Sequence, residues 1–571
     1  MQKELDVRDY DFRCPELTQE EYKLMLSGKM KYKRTVHEVP RLLCADAYTI
    51  GSDQFQSDKA KEKSVYYVTF RRDLYKIDSE LYTKGDNRMI FIGLQRKLDR
   101  ILFKKVKQWE IDAASEFLAN FKVTTNGLKP YLFPKHLWQR IVDEFDGRIP
   151  IRISAMPEGS VVYPNEPVIM IESLVDGFGE LAAWFESKIL QVWSDSERVT
   201  QDRHFYDKVR EIYKKNFPHL TQAEVNFFAS ILLTDFGDRA GMNATESEDQ
   251  GMAGLYTFPG TDTVCGAYQA WMNSDKTIGL SSSVYALAHR NVQAYDNENG
   301  AYKSSYEVAE NGDYISQVND CYGSRNSVKK YHVPLALRSK AENNGKILVS
   351  RPDSGVALDE ILYIIHQAIE NGLFEKVTFA GSTKEWICGT YLHFIAGDGL
   401  THSTLLALLQ TIIDLGFVPW TWGLFGMGGG KRNGLKRDNI SAKYALCAMG
   451  NEYTGVVKFS DTFGKTTLPG PFKVLRSAEA LANNKTIVFA HEPGENAMVV
   501  YYDGLAEIDF FDGGMLDSFV TIKERSHEQF DTMPKSLGTI ENHNYPASDE
   551  VIAERKRLLT KYAPDKDTAN Y

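Results

Sequence analysis

Two glycine-rich stretches stand at the ends of neighbouring apolar runs, where they could bind phosphate. Gly397-Asp-Gly399 ends one run, and Phe425-Gly-Met-Gly-Gly-Gly430 ends the next. Glycines let backbone N–H groups approach an anion closely, so such loops commonly hold phosphate. The second loop is not a P-loop, because its glycine spacing is one residue short and Arg432 follows Lys431 where Ser or Thr is needed. We expect a phosphate site here, and a pair of flexible turns is the alternative.

Charged and aromatic residues stand at the ends of other apolar runs. Arg351-Pro-Asp-Ser-Gly355 combines a planar guanidinium with a carboxylate, which could bind phosphate and ribose hydroxyls. A strand-end turn marked by its Pro and Gly is an equal alternative. Asp235-Phe-Gly237 matches one protein-kinase motif, but neither a glycine-rich N-terminal loop nor an H-R-D segment accompanies it. Phe236 could instead stack on a planar ring, although a core position is commoner for such a residue.

Two further features carry weaker signals. His289 follows an apolar run, and a lone histidine of this kind is more often a structural hydrogen-bonding residue than a catalyst. The charge-rich stretch from Glu246 to Asp249 predicts a solvated loop. Neither feature assigns a function by itself.

The elements that carry these residues repeat along the middle of the chain. Short apolar runs end in small, polar or charged residues, and helical patterns often follow them, as in the amphipathic stretch from Thr401 to Gly416. This order predicts parallel β/α units, and enzymes built from such units place their sites at the carboxyl ends of the strands. The predicted strands are Ser230–Phe236, Tyr314–Asp320, Ile347–Asp353, Val377–Gly381, Phe394–Asp398 and Thr421–Gly426.

Length and pattern together predict the domain organisation. A chain of 571 residues is too long for one ordinary domain. β-rich runs such as Ser64–Phe70 and Gly159–Ser173 precede the repeating units, and β-like runs return towards the end of the chain. We predict an α/β fold, an irregular parallel β/α barrel with a β-rich second domain built from both chain ends. The predicted boundaries are an N-terminal extension at 1–38, the β-rich domain at 39–175 and 445–571, and the barrel at 176–444.

Composition excludes several classes of protein. With 67 Lys and Arg against 77 Asp and Glu, the formal charge is −10, which argues against general binding of nucleic acid or of anionic membranes. The 6 cysteines are scattered without a C-x-x-C pair, which argues against a zinc site or a disulfide framework and suits a reducing cytosol. The N-terminus has no apolar signal region, and no apolar stretch is long enough to span a membrane. We therefore expect a cytoplasmic protein.

Taken in order along the chain, these motifs resemble the nicotinamide phosphoribosyltransferase family, within the type II phosphoribosyltransferases. No single motif is specific, but the ordered set is. The resemblance covers roughly residues 42–460, and its matching positions are Asp46-Ala-Tyr48, Gly93-Leu-Gln95, Pro157-Glu-Gly159, Asp235-Phe-Gly-Asp-Arg239, Gly260-Thr-Asp-Thr-Val264, His289, Asp320, Arg351-Pro-Asp-Ser-Gly355, Gly397-Asp-Gly399, Gly426-Met-Gly-Gly-Gly430 and Arg437-Asp438.

The resemblance implies a reaction and its participants. It implies transfer of phosphoribosyl from phosphoribosyl pyrophosphate to nicotinamide, giving nicotinamide mononucleotide and pyrophosphate in NAD salvage. It also implies Mg²⁺, a homodimer with shared active sites, and phosphorylation of His289 by ATP to drive the reaction forward. The pyridine nitrogen already carries a free lone pair, so the attack on ribose needs no general base. Fixed donors and positioning are required instead, while an oxocarbenium-like centre forms.

The resemblance also implies a role for each matching residue. Nicotinamide would lie between Phe236 and the Tyr48 of the other subunit, with Asp46 beside that tyrosine, and its carboxamide would donate to Asp262. The residues around the 5′-phosphate would be Arg239, Gly397, Asp398, Gly428 and Gly429. Arg351 and Asp353 would hold the ribose and the pyrophosphate, with Asp320 nearby, and these residues with His289 form the implied catalytic set. Arg437, Lys458 and either Arg71 or Arg72 would meet the leaving pyrophosphate, partly across the dimer interface.

The sequence departs from the family pattern at three places. Thr234 stands where a histidine is frequent, Asp238 where an aromatic residue is common, and Ala288 where an acidic residue precedes the histidine. Nicotinate phosphoribosyltransferase is the nearest alternative, and a non-catalytic binding protein on the same scaffold is the alternative from another class. Asp262 favours nicotinamide, because a carboxylate attracts an amide N–H₂ and repels the carboxylate of nicotinate.

Overall fold

The computed structural model describes residues 38–381, 383–397, 399–432, 434–459, 466–506, 517–538 and 545–563, with residues 23 and 27. Of the predicted features, Asp398 and nearly all of the N-terminal extension lie outside these residues. The strands are β1 (Ser64–Thr69), β2 (Met89–Ile90), β3 (Lys122–Thr124), β4 (Gly127–Lys129), β5 (Ile151–Ala155), β6 (Val161–Val162), β7 (Pro167–Ser173), β8 (Leu233–Asp235), β9 (Gly260–Thr261), β10 (Tyr285–Leu287), β11 (Tyr314–Val318), β12 (Ile347–Arg351), β13 (Phe374–Thr378), β14 (Glu385–Gly389), β15 (Leu392–Ala396), β16 (Gly423–Met427), β17 (Lys443–Met449), β18 (Thr454–Gly455), β19 (Phe472–Val474), β20 (Ile487–Phe489) and β21 (Val499–Asp503).

The α-helices are α1 (Ala47–Ile50), α2 (Asp58–Glu62), α3 (Leu94–Ile101), α4 (Gln108–Leu118), α5 (Lys135–Glu144), α6 (Leu181–Trp184), α7 (Glu186–Ile189), α8 (Val192–Asn216), α9 (Gln222–Ser230), α10 (Ala244–Leu255), α11 (Val264–Met272), α12 (His289–Gln293), α13 (Glu298–Val308), α14 (Ser324–Ser327), α15 (Val333–Glu342), α16 (Ala357–Glu370), α17 (His402–Asp414), α18 (Gly429–Arg432), α19 (Arg437–Ile440), α20 (Ala478–Ala482), α21 (Phe519–Thr532) and α22 (Asp549–Tyr562). Short 3₁₀ turns lie at Arg41–Leu43, Ser52–Phe55, Leu74–Lys76, Asp238–Ala240 and Pro419–Thr421, and a π-helical turn at Val328–His332.

A parallel sheet of 7 strands forms the barrel, in the order β10-β11-β12-β15-β16-β8-β9. A parallel bridge between Gly260 and Ser282 joins the last strand of this order to the segment that leads into the first. The N–H of Thr261 donates to the carbonyl of Ser282 at 3.0 Å, and the N–H of Ser282 donates to the carbonyl of Pro259 at 2.9 Å. The two edges of the sheet therefore meet, and the sheet curls into a barrel, as predicted.

The helices around the barrel follow from apolar spacing. In α16, residues Ile361, Ile364, Ile365 and Ala368 recur at intervals of three and four and are buried in the main core. The predicted helix from Thr401 to Gly416 is α17. It begins where Thr401 accepts the N–H of Thr404 at 3.3 Å.

One predicted barrel strand belongs elsewhere, which corrects the sequence analysis. The run Val377–Gly381 overlaps β13, which pairs antiparallel with β14 in a two-stranded ribbon outside the barrel. Glu375, Lys376 and Thr378 in this strand are exposed. A parallel barrel strand must be apolar because it is covered on both faces, and β13 does not meet that condition.

A second sheet has 6 strands in the order β18-β17-β1-β7-β5-β21. Three of these strands precede the barrel in the chain and three follow it. Every pairing in it is antiparallel. β5 alternates, with Ile151, Ile153 and Ala155 buried and the residues between them half-buried, as expected for a sheet covered on one face. The predicted fold, a parallel barrel with a β-rich part from both chain ends, is confirmed. The segment between β2 and β5 also contains α3, α4 and α5, which the β-like runs of the sequence do not predict.

The stretch from Glu246 to Asp249 is not a solvated loop. It lies in α10, which begins where Asn243 accepts the N–H of Glu246 at 3.0 Å. Asp249 is buried and forms ion pairs with three cations of α3, Arg96 at 2.7 Å, Lys97 at 2.6 Å and Arg100 at 2.6 Å. Burial raises its pKa, but the hydrogen bond from Arg100 and the nearby positive charges outweigh burial and lower it. The charges are therefore internal pairs between helices.

Among the described parts of the chain, no helix combines the length and apolar character that crossing a membrane requires. The cysteines within these parts, Cys44, Cys265, Cys321, Cys388 and Cys447, are free thiols.

Candidate active site

The four residues of the predicted catalytic set meet at the carboxyl ends of β10, β11 and β12. The His289 Nε2 lies 2.9 Å from Asp320 Oδ1, and its Nδ1 lies 4.0 Å from Asp353 Oδ2. The Arg351 Nη2 lies 3.8 Å from the same Asp353 oxygen. Ser354 Oγ donates to the second oxygen of Asp320 at 2.7 Å. Parallel strands bring these residues together although up to 64 positions separate them.

This arrangement leaves a lone pair on the histidine and free donors on the arginine. When His289 donates its Nε2–H to Asp320, the ring keeps a lone pair on Nδ1, which faces Asp353. The imidazole side chain is 40% exposed, so a ligand can reach it. The Nε of Arg351 is buried and has no hydrogen-bond partner among the residues that the structure describes. Its planar fork therefore retains donors for phosphate or ribose oxygens.

Phe236 directly follows β8, and glycines make the space for its ring. Its N–H donates to the carbonyl of Met427 at 3.1 Å. A Cβ at Gly426 would lie 2.0 Å from the Phe236 ring and one at Gly397 would lie 3.3 Å from it. A Cβ at Gly428 would lie 3.0 Å from the Phe236 carbonyl oxygen. These glycines therefore seat an aromatic ring at the barrel mouth, a role that the sequence pattern did not predict.

The two predicted phosphate loops lie side by side. A Cβ at Gly397 would lie 3.3 Å from the carbonyl oxygen of Gly426, and one at Gly430 would lie 2.0 Å from the carbonyl oxygen of Leu400. Only glycine allows backbone to approach backbone at such distances. Gly429 is the first residue of the short helix α18, and Gly428 directly precedes it. Asp398, of the first loop, lies outside the described residues.

Asp235 holds the backbone on which this pocket is built. Its Oδ1 accepts the N–H of Gly237 at 2.6 Å, and its Oδ2 accepts the buried Arg198 Nη2 at 2.8 Å. Its carbonyl accepts the N–H of Asp262 at 2.8 Å. Phe236 and Asp262 are therefore fixed relative to each other through one residue. Sequence reasoning missed Arg198, because a charged residue inside a helical pattern predicts an exposed position. It also assigned no such role to Asp235.

The remaining predicted residues of the mouth are accessible. Asp262 is exposed, and Ser283 Oγ donates a hydrogen bond to its carboxylate. Arg239 is exposed in the 3₁₀ turn that directly follows Gly237. Both side chains are therefore open to a ligand.

A second cluster, of basic residues, lies around α19. Arg72 Nη1 donates to the carbonyl of Asp438 at 2.9 Å, and Arg437 occupies the first position of α19. Burial lowers the pKa of Lys443, and the positive charges of Lys458, Arg71 and Arg437 lower it further, against the opposing effect of Glu186. The cluster therefore comprises Arg71, Arg72, Arg437, Lys443 and Lys458, and it suits a polyanion. Lys443 was missed by sequence reasoning; its signal was a lysine at the start of an otherwise apolar strand.

Tyr48 and Asp46 lie near this basic cluster. Burial raises the pKa of Glu186, the Asp46 charge raises it further, and Lys443 and Arg437 oppose the rise. The same Glu186 and Asp46 charges, after burial, raise the pKa of Tyr48. Tyr48 is 65% exposed, and within the described part of one chain it makes no ring contact with Phe236. Within one chain, Tyr48 therefore does not stack on Phe236, and its assignment to the pocket of another subunit stays a prediction.

Two family models match separate parts of this chain. The nicotinamide phosphoribosyltransferase N-terminal domain matches residues 41–153, and the nicotinate phosphoribosyltransferase (NAPRTase) family matches residues 231–485. A curated relative, the nicotinamide phosphoribosyltransferase of Xanthomonas campestris pv. campestris (strain 8004), is 27% identical over 414 residues. That match covers 71% of this chain and 80% of the relative.

Solved structures support the fold. Human nicotinic acid phosphoribosyltransferase superposes with a TM-score of 0.56 at 13% identity, covering 90% of this chain and 100% of that one. Nicotinate-nucleotide pyrophosphorylase from Pyrococcus furiosus gives a TM-score of 0.51 at 14% identity, covering 88% and 98% of the two chains. At these identities the similarity shows the fold alone.

The seating of Phe236 can be tested by adding one methyl group. In Gly426→Ala the new Cβ would lie 2.0 Å from the ring, so the ring must move, and we expect the free energy of unfolding to fall by about 1–3 kcal/mol. Gly434→Ala is the control, because nothing lies within 4 Å of a Cβ there; its stability should stay the same or rise slightly. Urea denaturation measures both. Equal stability of the two variants would contradict the tight seating of Phe236.

Proposed function

This chain belongs to the nicotinamide phosphoribosyltransferase family of type II phosphoribosyltransferases, and we propose that it transfers phosphoribosyl from phosphoribosyl pyrophosphate to nicotinamide. The products are nicotinamide mononucleotide and pyrophosphate, which places the enzyme in NAD salvage. The observation that carries this proposal is the fixed pairing of Phe236 with Asp262 through Asp235. It offers a ring to stack on and a carboxylate to accept an amide N–H₂ beside a cluster suited to ribose and phosphate.

The chain's own residues supply positioning and charge, as this reaction requires. Phe236 orients the pyridine ring, and Asp262 accepts from the carboxamide. Arg351 donates to the phosphoribosyl oxygens, and Asp353, 3.8 Å from its guanidinium, accepts from the ribose hydroxyls. Arg239 and the glycine loops hold the 5′-phosphate through donors that need no reorganisation during the reaction. The pyridine nitrogen then attacks ribose C1 as the bond to pyrophosphate breaks.

The donor set fits Mg²⁺ held jointly with substrate. Asp320 and Asp353 present two carboxylates at the mouth, on either side of His289. Magnesium in proteins is usually bound by one or two carboxylates together with phosphate oxygens and water. When bound, the ion neutralises charge on the leaving pyrophosphate. Both oxygens of Asp320 are engaged by His289 and Ser354, so we propose Asp353 as the protein ligand and substrate oxygens and water as the others.

We propose a homodimer with shared sites. Tyr48 is exposed and makes no ring contact with Phe236 within the described part of one chain, so its ring is accessible to a second subunit. The face of α11 next to Asp262 is also apolar and exposed, with Val264 at 73% and Tyr268 at 55%. Such a face beside an active site is typical of an interface. We further propose a cytoplasmic location, which the free cysteines of the described residues support.

A steady-state assay tests the function directly. Purified protein with Mg²⁺ and phosphoribosyl pyrophosphate should convert nicotinamide with a higher kcat/KM than nicotinate. The reverse preference would replace the proposal with nicotinate phosphoribosyltransferase. Turnover of neither pyridine would favour a non-catalytic binding protein.

Asp262 should set the choice of pyridine. Replacing it removes a charge-assisted acceptor worth about 1.5–3 kcal/mol, so Asp262→Ser should lower kcat/KM for nicotinamide on the order of tenfold to a hundredfold. Use of nicotinate should improve relative to nicotinamide, because a like charge has been removed. Asp296→Ser changes another exposed carboxylate, in the loop after α12, and should keep the wild-type ratio. If Asp262→Ser also kept that ratio, Asp262 would not be the discriminator.

Shared sites should allow complementation between inactive chains. Tyr48→Ala and Arg351→Ala should each be inactive, because one removes the partner's ring and the other a phosphoribosyl donor. A hybrid dimer of the two variants contains one intact site, so mixing after dissociation should restore part of the wild-type activity. Differently tagged chains, purified sequentially, prove that hybrids form. Proven hybrids without recovered activity would count against shared sites.

We also propose that ATP phosphorylates His289. The γ-phosphoryl group would move to the imidazole nitrogen that carries the lone pair, and ADP would leave. Wild-type protein should therefore hydrolyse ATP and show a lower apparent KM for its substrates with ATP present. His289→Ala should lose both effects, whereas His491→Ala, at an exposed histidine paired with Glu550, should keep them. A wild-type enzyme indifferent to ATP would refute the coupling and leave the transferase function standing.

A further inference from the structure

Glu197 is a buried carboxylate whose bonds lead to the basic cluster. It is 0% exposed on α8. Its Oε1 accepts the Nδ2–H of Asn439 at 2.6 Å, and its Oε2 accepts the backbone N–H of Lys436 at 3.2 Å. Asn439 and Lys436 flank Arg437 in the segment 436–441, named here the cationic loop. Gln201 Nε2, one turn further along α8, donates to the Glu197 Oε1 at 3.4 Å. These are the hydrogen bonds of the Glu197 carboxylate within the described residues.

The cationic loop is held from a second side by the end of β1. The N–H of Arg71 donates to the carbonyl of Ile440 at 3.0 Å, and Arg72 Nη1 donates to the carbonyl of Asp438 at 2.9 Å. Inside the loop, the N–H of Asn439 donates to the carbonyl of Lys436 at 2.8 Å. Glu197 therefore supplies the α8 side of a clamp around the backbone that carries Arg437.

Glu197 is buried without an ion-pair partner among the described residues, so keeping its carboxylate ionised costs free energy. Desolvation raises the pKa of Glu197 to about 7, and the bonds from Asn439 and Lys436 oppose the rise. A buried carboxylate of this kind is tolerated only where its hydrogen bonds replace those of water. Its neighbour Arg198 binds other groups, Asp202 and Asp235, both at 2.8 Å. Consecutive residues of one helix thus hold the cationic loop and the Phe236 pocket.

We propose that Glu197 is a positioning residue that holds Arg437 in place for the pyrophosphate end of phosphoribosyl pyrophosphate. The inference rests on the proposed function for the identity of that ligand. Glu197 does not touch substrate; it acts through the backbone of the cationic loop. Its two oxygens accept from three N–H donors, two at Oε1 and one at Oε2, and an ionised carboxylate is the form that offers acceptors to all of them. Loss of either bond lets the loop shift, and Arg437 moves with it.

Glu197→Gln tests this with little change in size. The amide nitrogen must face one of the two donors of the cationic loop, so one bond is lost and a buried donor is left unpaired. We expect the KM for phosphoribosyl pyrophosphate to rise on the order of tenfold, with the KM for nicotinamide within about twofold of wild type. Asp195→Asn is the matched control, because Asp195 is equally buried on α8 but pairs with Lys97 at 3.2 Å. It should leave both KM values near those of wild type.

A double-mutant cycle separates positioning from general damage. Asn439→Ala removes the partner of Oε1, so its effect on the KM for phosphoribosyl pyrophosphate should not add to that of Glu197→Gln. Additive effects, or equal rises in both KM values, would overturn the proposal. Calorimetric binding of phosphoribosyl pyrophosphate without any pyridine gives an independent reading. If wild type binds this ligand but uses neither pyridine, the proposed function fails, while a weaker affinity in Glu197→Gln would still support the positioning role. Unchanged affinity would refute it.

Discussion

The site depends on one buried guanidinium. Arg198 lies inside the protein with 0% exposure, between the carboxylates of Asp202 and Asp235. Burial lowers its pKa, but the two negative charges more than offset this, so the group stays charged. Removing one member of such a set leaves an uncompensated buried charge, which typically costs about 3–5 kcal/mol. A Cβ at Gly254, in α10, would lie 2.7 Å from Arg198 Nη2. The neighbouring helix therefore has a glycine where it contacts the guanidinium.

From this ion pair the geometry of the pocket follows. Asp235 fixes the turn that presents Phe236 and the strand that presents Asp262, and its oxygens are already satisfied by Arg198 and Gly237. Asp202, also on α8, forms a hydrogen bond with His402 Nε2 at 3.1 Å. Helix α8 therefore also anchors α17, which follows the first glycine loop. Helix α8 thus connects the ring pocket, the phosphate side and, through Glu197, the cationic loop. An enzyme that works by positioning needs such a rigid connection, because small displacements of a donor greatly reduce its effect on the transition state.

The glycines at the barrel mouth serve two physical requirements at once. Their missing side chains let the two loops approach each other and let the Phe236 ring lie against β16. The same lack of side chains exposes backbone N–H groups to an anion. A motif that sequence analysis associates with phosphate is therefore also the packing surface of an aromatic ring.

The sequence by itself determined which residues stand at strand ends. In a parallel β/α fold those ends share one edge, so His289, Asp320 and Arg351 could be expected to meet. The period of α17 and the origin of the second sheet in both chain ends could also be predicted, because local pattern sets which face of an element is apolar. Only the tertiary structure decided that the charges of α8 and Asp249 are internal. A charge can be buried only where a distant segment brings its counterpart, and Glu197 and Asn439 are 242 positions apart. Periodicity records which residues share a face, but not which surface will cover it.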